Sequence, residues 1–172
     1  MPIFKQNIET PLGTLVACAT EENLCLLQFS DNKKLDAILK NISKHLQMEI
    51  VEKENSLLKK LEIQLHEYFN GKRMVFSIPL LSIGTDFQKS VWKVLQDVPY
   101  GKTISYQEQS ILLHNPKAIR AVANANGSNK ITILLPCHRI IGTNGSLTGY
   151  SAGIWRKQKL LELELNTIHH SN

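Results

Sequence analysis

The sequence is poor in cysteine, in unbroken apolar stretches and in metal-ligand spacings, and each shortage removes a class of protein. Its three cysteines, Cys18, Cys25 and Cys137, are an odd number. The opening Met1-Pro2-Ile3-Phe4-Lys5-Gln6 holds no apolar core of signal-peptide length. A disulfide-stapled secreted fold is therefore disfavoured, and free thiols in a reducing cytoplasm are expected. No window approaches the roughly 18 apolar residues of a membrane span, so no membrane partner is expected. CxxC and HxxxH spacings are missing, which leaves a zinc site without support, and the expectation is no metal and no cofactor. Internal repeats and low-complexity tracts are absent. Acidic residues are scarce in the second half. Residues 1–84 carry ten Lys/Arg and ten Asp/Glu, whereas residues 85–172 carry ten Lys/Arg and five Asp/Glu, so the whole excess of +5 lies there. A localised basic excess fits a polyanion partner, with DNA or RNA foremost; a solvated basic surface is the bland alternative.

What is present suffices for a packed core, with 42% apolar and 20% charged residues. Leu12 to Thr20 and Leu24 to Phe29 are rich in strand formers around a polar turn and predict a hairpin. Asp31 is a candidate cap for a helix to about Lys44, Met48 to Val51 predicts a strand, and Asn55 a helix to Phe69 ended by Asn70-Gly71. His45 and His66 are isolated, and this half carries no chemical constellation. An α/β domain over 1–76 and an extended connector over 77–84 with Pro79 and Gly84 follow, leaving 85–172 as a second domain. There Thr85-Asp86-Phe87-Gln88 forms a capping box before a helix with Phe87, Val91, Val94 and Leu95 on one side. Val98-Pro99-Tyr100-Gly101 ends it. Ser105 caps a short helix to Leu113, and Asn115-Pro116 opens a basic, small-residue helix to Gly127. Two short helices and a tight turn suit a helix-turn-helix, although any helical hairpin has the same signature.

Ile131 to Leu135 predicts an apolar strand stopping at Pro136, with Cys137-His138-Arg139 directly after it. A cysteine beside an imidazole and a guanidinium sits where a thiolate could be favoured. On these residues alone a buried structural cysteine is equally consistent. The Cys-Gly-x-Cys-Trp surround of papain-like proteases is missing, which argues against a thiol protease.

Gly84-Thr85-x-Phe87-Gln88, Trp92, Pro99-Tyr100-Gly101, Ser105-Tyr106, Arg120-Ala121-Val122, Asn129, Pro136-Cys137-His138-Arg139-Ile140, Gly145, Gly149-Tyr150 and Lys157-x-x-Leu160-Leu161 follow one another in order. The set, spanning about residues 84–165, closely resembles the O6-alkylguanine-DNA alkyltransferases (methylated-DNA–protein-cysteine methyltransferases). The resemblance implies an N-terminal ribonuclease-H-like α/β domain followed by a mainly helical domain with a helix-turn-helix. It implies a monomer that flips an alkylated guanine out of duplex DNA and moves the alkyl group from O6 to its own Cys137, once and irreversibly. O4 of thymine is a second candidate substrate atom.

By the same resemblance His138 is the base, acting through a water, Glu164 orients it, and Asn129 braces the turn around the cysteine. Helical spacing places Glu164 on one face with Lys157, Leu160 and Leu161, where its competitor Glu162 is off the face. Tyr106 and Ser151 would bond the base, and Ile140, Gly149 and Tyr150 would wall the pocket. Arg120 would fill the gap left by the flipped nucleotide. The second helix would enter the minor groove, with small Ala121, Ala123 and Ala125 permitting close approach, and Ser105 would also contact the DNA. Arg139 is expected in a structural ion pair. Asp86, Ser110, His114 and Lys130 depart from the family's usual residues, and none removes a proposed catalytic group. Two rivals remain: a lesion-binding relative without transfer activity, which would lack the acceptor Cys137, and a redox-sensing helix-turn-helix regulator, for which no dimerising element is visible.

Overall fold

The computed structural model describes residues 1–170, so the last two residues of the expected second domain lie outside the described part. The chain divides into two compact units, Met1–Ile83 and the residues from Gly84 onward.

The first unit is α/β. Strands β1 (Ile3–Thr10), β2 (Gly13–Ala19) and β3 (Leu24–Phe29) are followed by α1 (Leu35–Leu46), β4 (Ile50–Glu52) and α2 (Ser56–Phe69). The sheet order is β3-β2-β1-β4, with β1 antiparallel to β2 and parallel to β4. The expected hairpin is β2–β3, whereas β1 carries no strand signature in the sequence because Lys5, Gln6 and Asn7 interrupt its apolar residues. Asn55 caps α2 through its side-chain oxygen, which accepts from Leu58 N at 2.9 Å; such a cap contributes about 1 kcal/mol. Asp31 does not cap α1. The Asn32 side chain takes the Lys34 N–H at 2.9 Å, and the helix starts later, with Lys34 at its N-cap. Leu24 N donates to Pro79 O and Leu81 N to Leu24 O, so residues 79–81 run along the edge of β3. Covering that edge removes a row of open backbone groups.

The second unit is mainly helical: α3 (Asp86–Leu95), β5 (Ile104–Ser105), α4 (Tyr106–Leu112), α5 (Ile119–Gly127), one 3-10 turn (Cys137–Arg139), β6 (Ile140–Ile141) and α6 (Ile154–His170). Thr85 and Ser105 both form complete capping boxes, with Gln88 and Glu108. On α3 the buried residues are Val91, Trp92 and Leu95, while Phe87 is partly exposed, so the indole takes the place in the core expected of Phe87. Trp92 Nε1 donates to Ala125 O at 2.8 Å, tying α3 to α5. Gln109 of α4 and Asn126 of α5 exchange two buried amide hydrogen bonds, 2.9 and 2.7 Å, which fix the pair of helices. Asn115-Pro116 forms a turn in which Ala118 N bonds Asn115 O, and α5 begins at Ile119 without a side-chain cap.

The expected strand over Ile131 to Leu135 is a buried turn. The Asn129 amide donates to Leu135 O at 2.8 Å while its oxygen accepts from Ile131 N at 2.9 Å. Leu135 N closes onto Ile131 O, and Ile133 is held at φ 71°. A β-branched residue in the left-handed region is strained and persists only where surroundings over-determine it. The segment is apolar because it is buried, which mimics a buried strand.

Candidate active site

Cys137 opens the 3-10 turn at the end of this loop, 7% exposed, with its Sγ 3.3 Å from the donating Asn129 Nδ2. The turn sends consecutive side chains different ways. His138 and Arg139 both reach Glu164 on α6: His138 Nε2 lies 2.7 Å from Oε2, and Arg139 bonds both carboxylate oxygens, at 2.9 and 3.0 Å. Arg139 also donates to Val98 O at 2.8 Å. Gly101 N gives Glu164 a further bond of 3.1 Å; at φ 75° and packed against Ile168, position 101 admits no Cβ. Glu164 is fully buried and Glu162 exposed, as the helical face required.

Charge states follow from these contacts. Burial pushes the Glu164 carboxyl up, but His138 and the Arg139 guanidinium outweigh it and hold the group well below the usual carboxylate range. Burial lowers His138, with Arg139 and Lys157 adding to it against Glu164, so the imidazole is neutral at neutral pH. An ionised Glu164 can only accept, so Nε2 carries the proton and Nδ1 presents a lone pair. Nδ1 is buried with no hydrogen-bond partner among the described residues. Burial raises the Cys137 thiol, with Asn129 and Lys157 opposing it. Arg139 forms the structural ion pair expected of it, with Glu164, and its guanidinium is not turned to the thiol, which desolvation keeps protonated.

Helical spacing by itself places Lys157 only on a helix face. It is fully buried, its Nζ donating to Thr148 O at 3.0 Å and lying 5.7 Å from the Tyr106 ring. Tyr106 donates to the same carbonyl at 2.9 Å, so two donors pin the loop at Thr148. Nothing in the sequence pattern marked this shared acceptor.

A cleft of about 810 Å³ is lined by Tyr106, Arg120, Ala123, Asn124 and the loop from Thr148 to Ser151, among others. Tyr106, Arg120, Ala123, Gly149, Tyr150 and Ser151 are thus brought together, and Cys137, His138, Asn129 and Glu164 form the buried group beside Lys157. Tyr150 bonds Thr132 at 2.6 Å. Outside the cleft lining are Ile140, buried and paired with Ile104 in the small sheet, and Ala121, exposed on α5. The Ser105 hydroxyl is buried and occupied as the cap of α4, accepting from Glu108 N, which gives it a structural task instead of a surface one. Among the described residues no group of three or more His, Cys, Asp or Glu is placed to hold a metal, and no helix is long and apolar enough to cross a membrane.

This geometry matches known proteins over both units. Residues 3–81 match the family described as 6-O-methylguanine DNA methyltransferase, ribonuclease-like domain, and residues 86–166 its DNA binding domain. A methylated-DNA–protein-cysteine methyltransferase of Methanosarcina barkeri is 40% identical over 96% of this chain and 99% of its own. The chain belongs to the methylated-DNA–protein-cysteine methyltransferase family. Its fold is that family's, a ribonuclease-like α/β domain before a helical one. The crystal structure of Mycobacterium tuberculosis O6-methylguanine methyltransferase superposes with a TM-score of 0.82 at 36% identity, covering 96% of this chain and 94% of that one. The Mycobacterium tuberculosis protein in complex with DNA gives the same TM-score and identity over 95% and 94%.

Proposed function

We propose that this methyltransferase repairs DNA by taking the alkyl group from O6 of guanine onto Cys137, once per chain. The observation that carries the reading is the buried set of thiol, neutral imidazole and ionised carboxylate, with the lone pair of His138 Nδ1 left for a proton. The reaction balances without a cofactor. The bond from the alkyl carbon to O6 breaks as the bond to Sγ forms; the thiol loses one proton and the freed guanine gains one.

His138 receives the thiol proton through a water, as a general base does, and Glu164 stabilises the imidazolium. Arg139 keeps Glu164 ionised and aimed. Asn129 holds the sulphur in line by its 3.3 Å contact. Lys157, whose charge acts on Cys137, offsets the negative charge developing on sulphur. Tyr106, released from Thr148 O, turns its hydroxyl to the departing base, and the carbonyl keeps its bond to Lys157. The related protein is seen with DNA, and here α5 presents Arg120, Ala123 and Asn124 to the cleft. Double-stranded DNA carrying the lesion is the partner this supports. Extruding a base costs a few kcal/mol, and Arg120 is suited to fill the space by stacking its planar guanidinium.

A thioether on Cys137 has no leaving route at neutral pH. Titrating a fixed amount of protein with O6-methylguanine duplex should give repair that stops at one equivalent. Product beyond one equivalent contradicts the proposal.

A further inference from the structure

The turn that follows α3 touches the Arg139–Glu164 pair at three points. Val98 O accepts from Arg139 at 2.8 Å, and Gly101 N donates to Glu164 at 3.1 Å. Between them the Tyr100 ring lies against Arg139, whose guanidinium carbon is 5.6 Å from the ring centroid. Lys102 N closes the turn onto Pro99 O, with Gly101 at φ 75° in the third position, as a type II turn requires. That geometry fixes the two backbone contacts. The Tyr100 contact is made by a side chain, and no step of the transfer uses it.

The hydrogen bonds of Arg139, two to Glu164 and one to Val98 O, act along the edges of the guanidinium. The electron-rich face of the tyrosine attracts the cation as a whole, and more strongly where water is excluded. Arg139 is buried, which meets that condition. Thr167, one turn beyond Glu164 on α6, interacts with the Tyr100 hydroxyl, so the ring is steadied from the helix that carries the carboxylate.

We infer that Tyr100 is a positioning residue of alkyl transfer: its ring holds the Arg139 guanidinium on Glu164, and through that ion pair governs how readily His138 takes the thiol proton. The inference rests on the proposed transfer reaction. Glu164 and Lys157 of α6 and Arg139 of its own turn are the charged groups acting on the imidazole. Arg139 disfavours the imidazolium directly, and again by neutralising Glu164. A loosened guanidinium leaves more of the carboxylate charge to His138, so the imidazole keeps a proton up to a higher pH. A protonated imidazole cannot act as a base. Transfer should then fail earlier on the acid side and recover where the imidazole is neutral.

Single-turnover transfer from O6-methylguanine duplex, followed from mildly acid to mildly alkaline pH, tests this in Tyr100→Leu and Tyr100→Phe proteins of unchanged circular dichroism. Tyr100→Leu should move the acid limb up by roughly half a unit to one unit, about three- to tenfold in rate on that limb, the scale of one cation–π contact. Tyr100→Phe keeps the ring and should keep the wild-type limb. Fluorinated phenylalanines at position 100 keep the shape while weakening the negative face of the ring. The limb should climb with each added fluorine, and this series decides the matter if Tyr100→Leu does not fold.

A second readout needs no DNA. In protein with isotope-labelled histidine, the ring signals of His138, assigned by their loss in His138→Ala, should titrate at higher pH in Tyr100→Leu. Those of His45 and His66 in the first unit should not change. If the wild-type protein transfers no methyl group, the repair reading fails and the His138 titration still decides the inference. Rates that fall equally at every pH, an unmoved His138 titration, or a shift in Tyr100→Phe as large as in Tyr100→Leu overturn it.

Discussion

Cys18 and Cys25 of the first unit and Cys137 of the second are all buried, yet their surroundings differ in kind. Burial pushes both thiols of the hairpin up to about 12, and the Cys25 thiol does no more than donate to Cys18 O at 3.3 Å. They pack with Ile3, Val16, Leu26 and Ile42 as small apolar side chains. Cys137 is desolvated too, but an amide donor touches its sulphur, an ammonium opposes its burial, and its sequence neighbour is a neutral imidazole held by a carboxylate. Desolvation alone makes a thiol inert. A nucleophile needs a route for its proton and a field for its charge, and only the second unit supplies both.

The largest effect that could break this contrast is the loss of the sulphur itself. Cys137→Ser should abolish alkyl transfer within the sensitivity of a single-turnover assay, whereas the Cys18→Ala/Cys25→Ala double variant should still take one equivalent. Transfer lost in the double variant while folding is retained would show that the hairpin thiols contribute.

Next in size is the relay. His138→Ala should slow transfer by about 10²–10⁴-fold, the usual range for a general base. Glu164→Gln should also slow it and in addition lower Tm. Removing one partner of a buried ion pair costs about 3–5 kcal/mol, because Arg139 is then buried without its anion. A full transfer rate in either variant would sever the proposed proton route from the geometry.

Arg120→Ala sharpens the division between binding and chemistry. Repair of duplex lesions should weaken by roughly 1–3 kcal/mol, the scale of a lost base contact, and reaction with free O6-benzylguanine should scarcely change. Arg120→Lys should restore only part, since it returns charge without a planar group. Equal losses on duplex and free base would assign Arg120 to the fold.

The smallest effect is on stability against pH. Glu164 is depressed in the folded protein, so its contribution is complete above the unfolded carboxylate pKa of about 4.3 and is lost as pH falls below it. His138 is also depressed, so the unfolded state takes up its proton first below about 6.5 and stability drops in the same direction. Tm should fall from pH 7 to pH 4, and less steeply in His138→Ala. Equal slopes would mean that His138 is no harder to protonate when folded.

Elements written in short spacing were legible without coordinates. The capping box at Thr85, the caps at Ser105 and Asn55 and the placement of Glu164 on the face of Lys157 and Leu160 all depend on contacts three or four residues apart. What depends on distant partners was not. The turn from Asn129 to Leu135 read as a strand, because burial imposes the same apolar composition on either shape. Asn115 looked like a cap, but the following residues fold as a turn and α5 begins at Ile119. Neither the Gln109–Asn126 amide pair nor the sharing of Thr148 O by Tyr106 and Lys157 has a local signature, since each joins residues far apart in the chain.

That only one of three buried cysteines is equipped to react is tested most directly by finding where the alkyl group goes. The protein should be incubated with excess O6-methylguanine duplex, and its intact mass and proteolytic peptides measured. The account predicts a gain of one methyl group per chain, confined to Cys137. An unmodified protein, or a methyl group on Cys18 or Cys25, would contradict it.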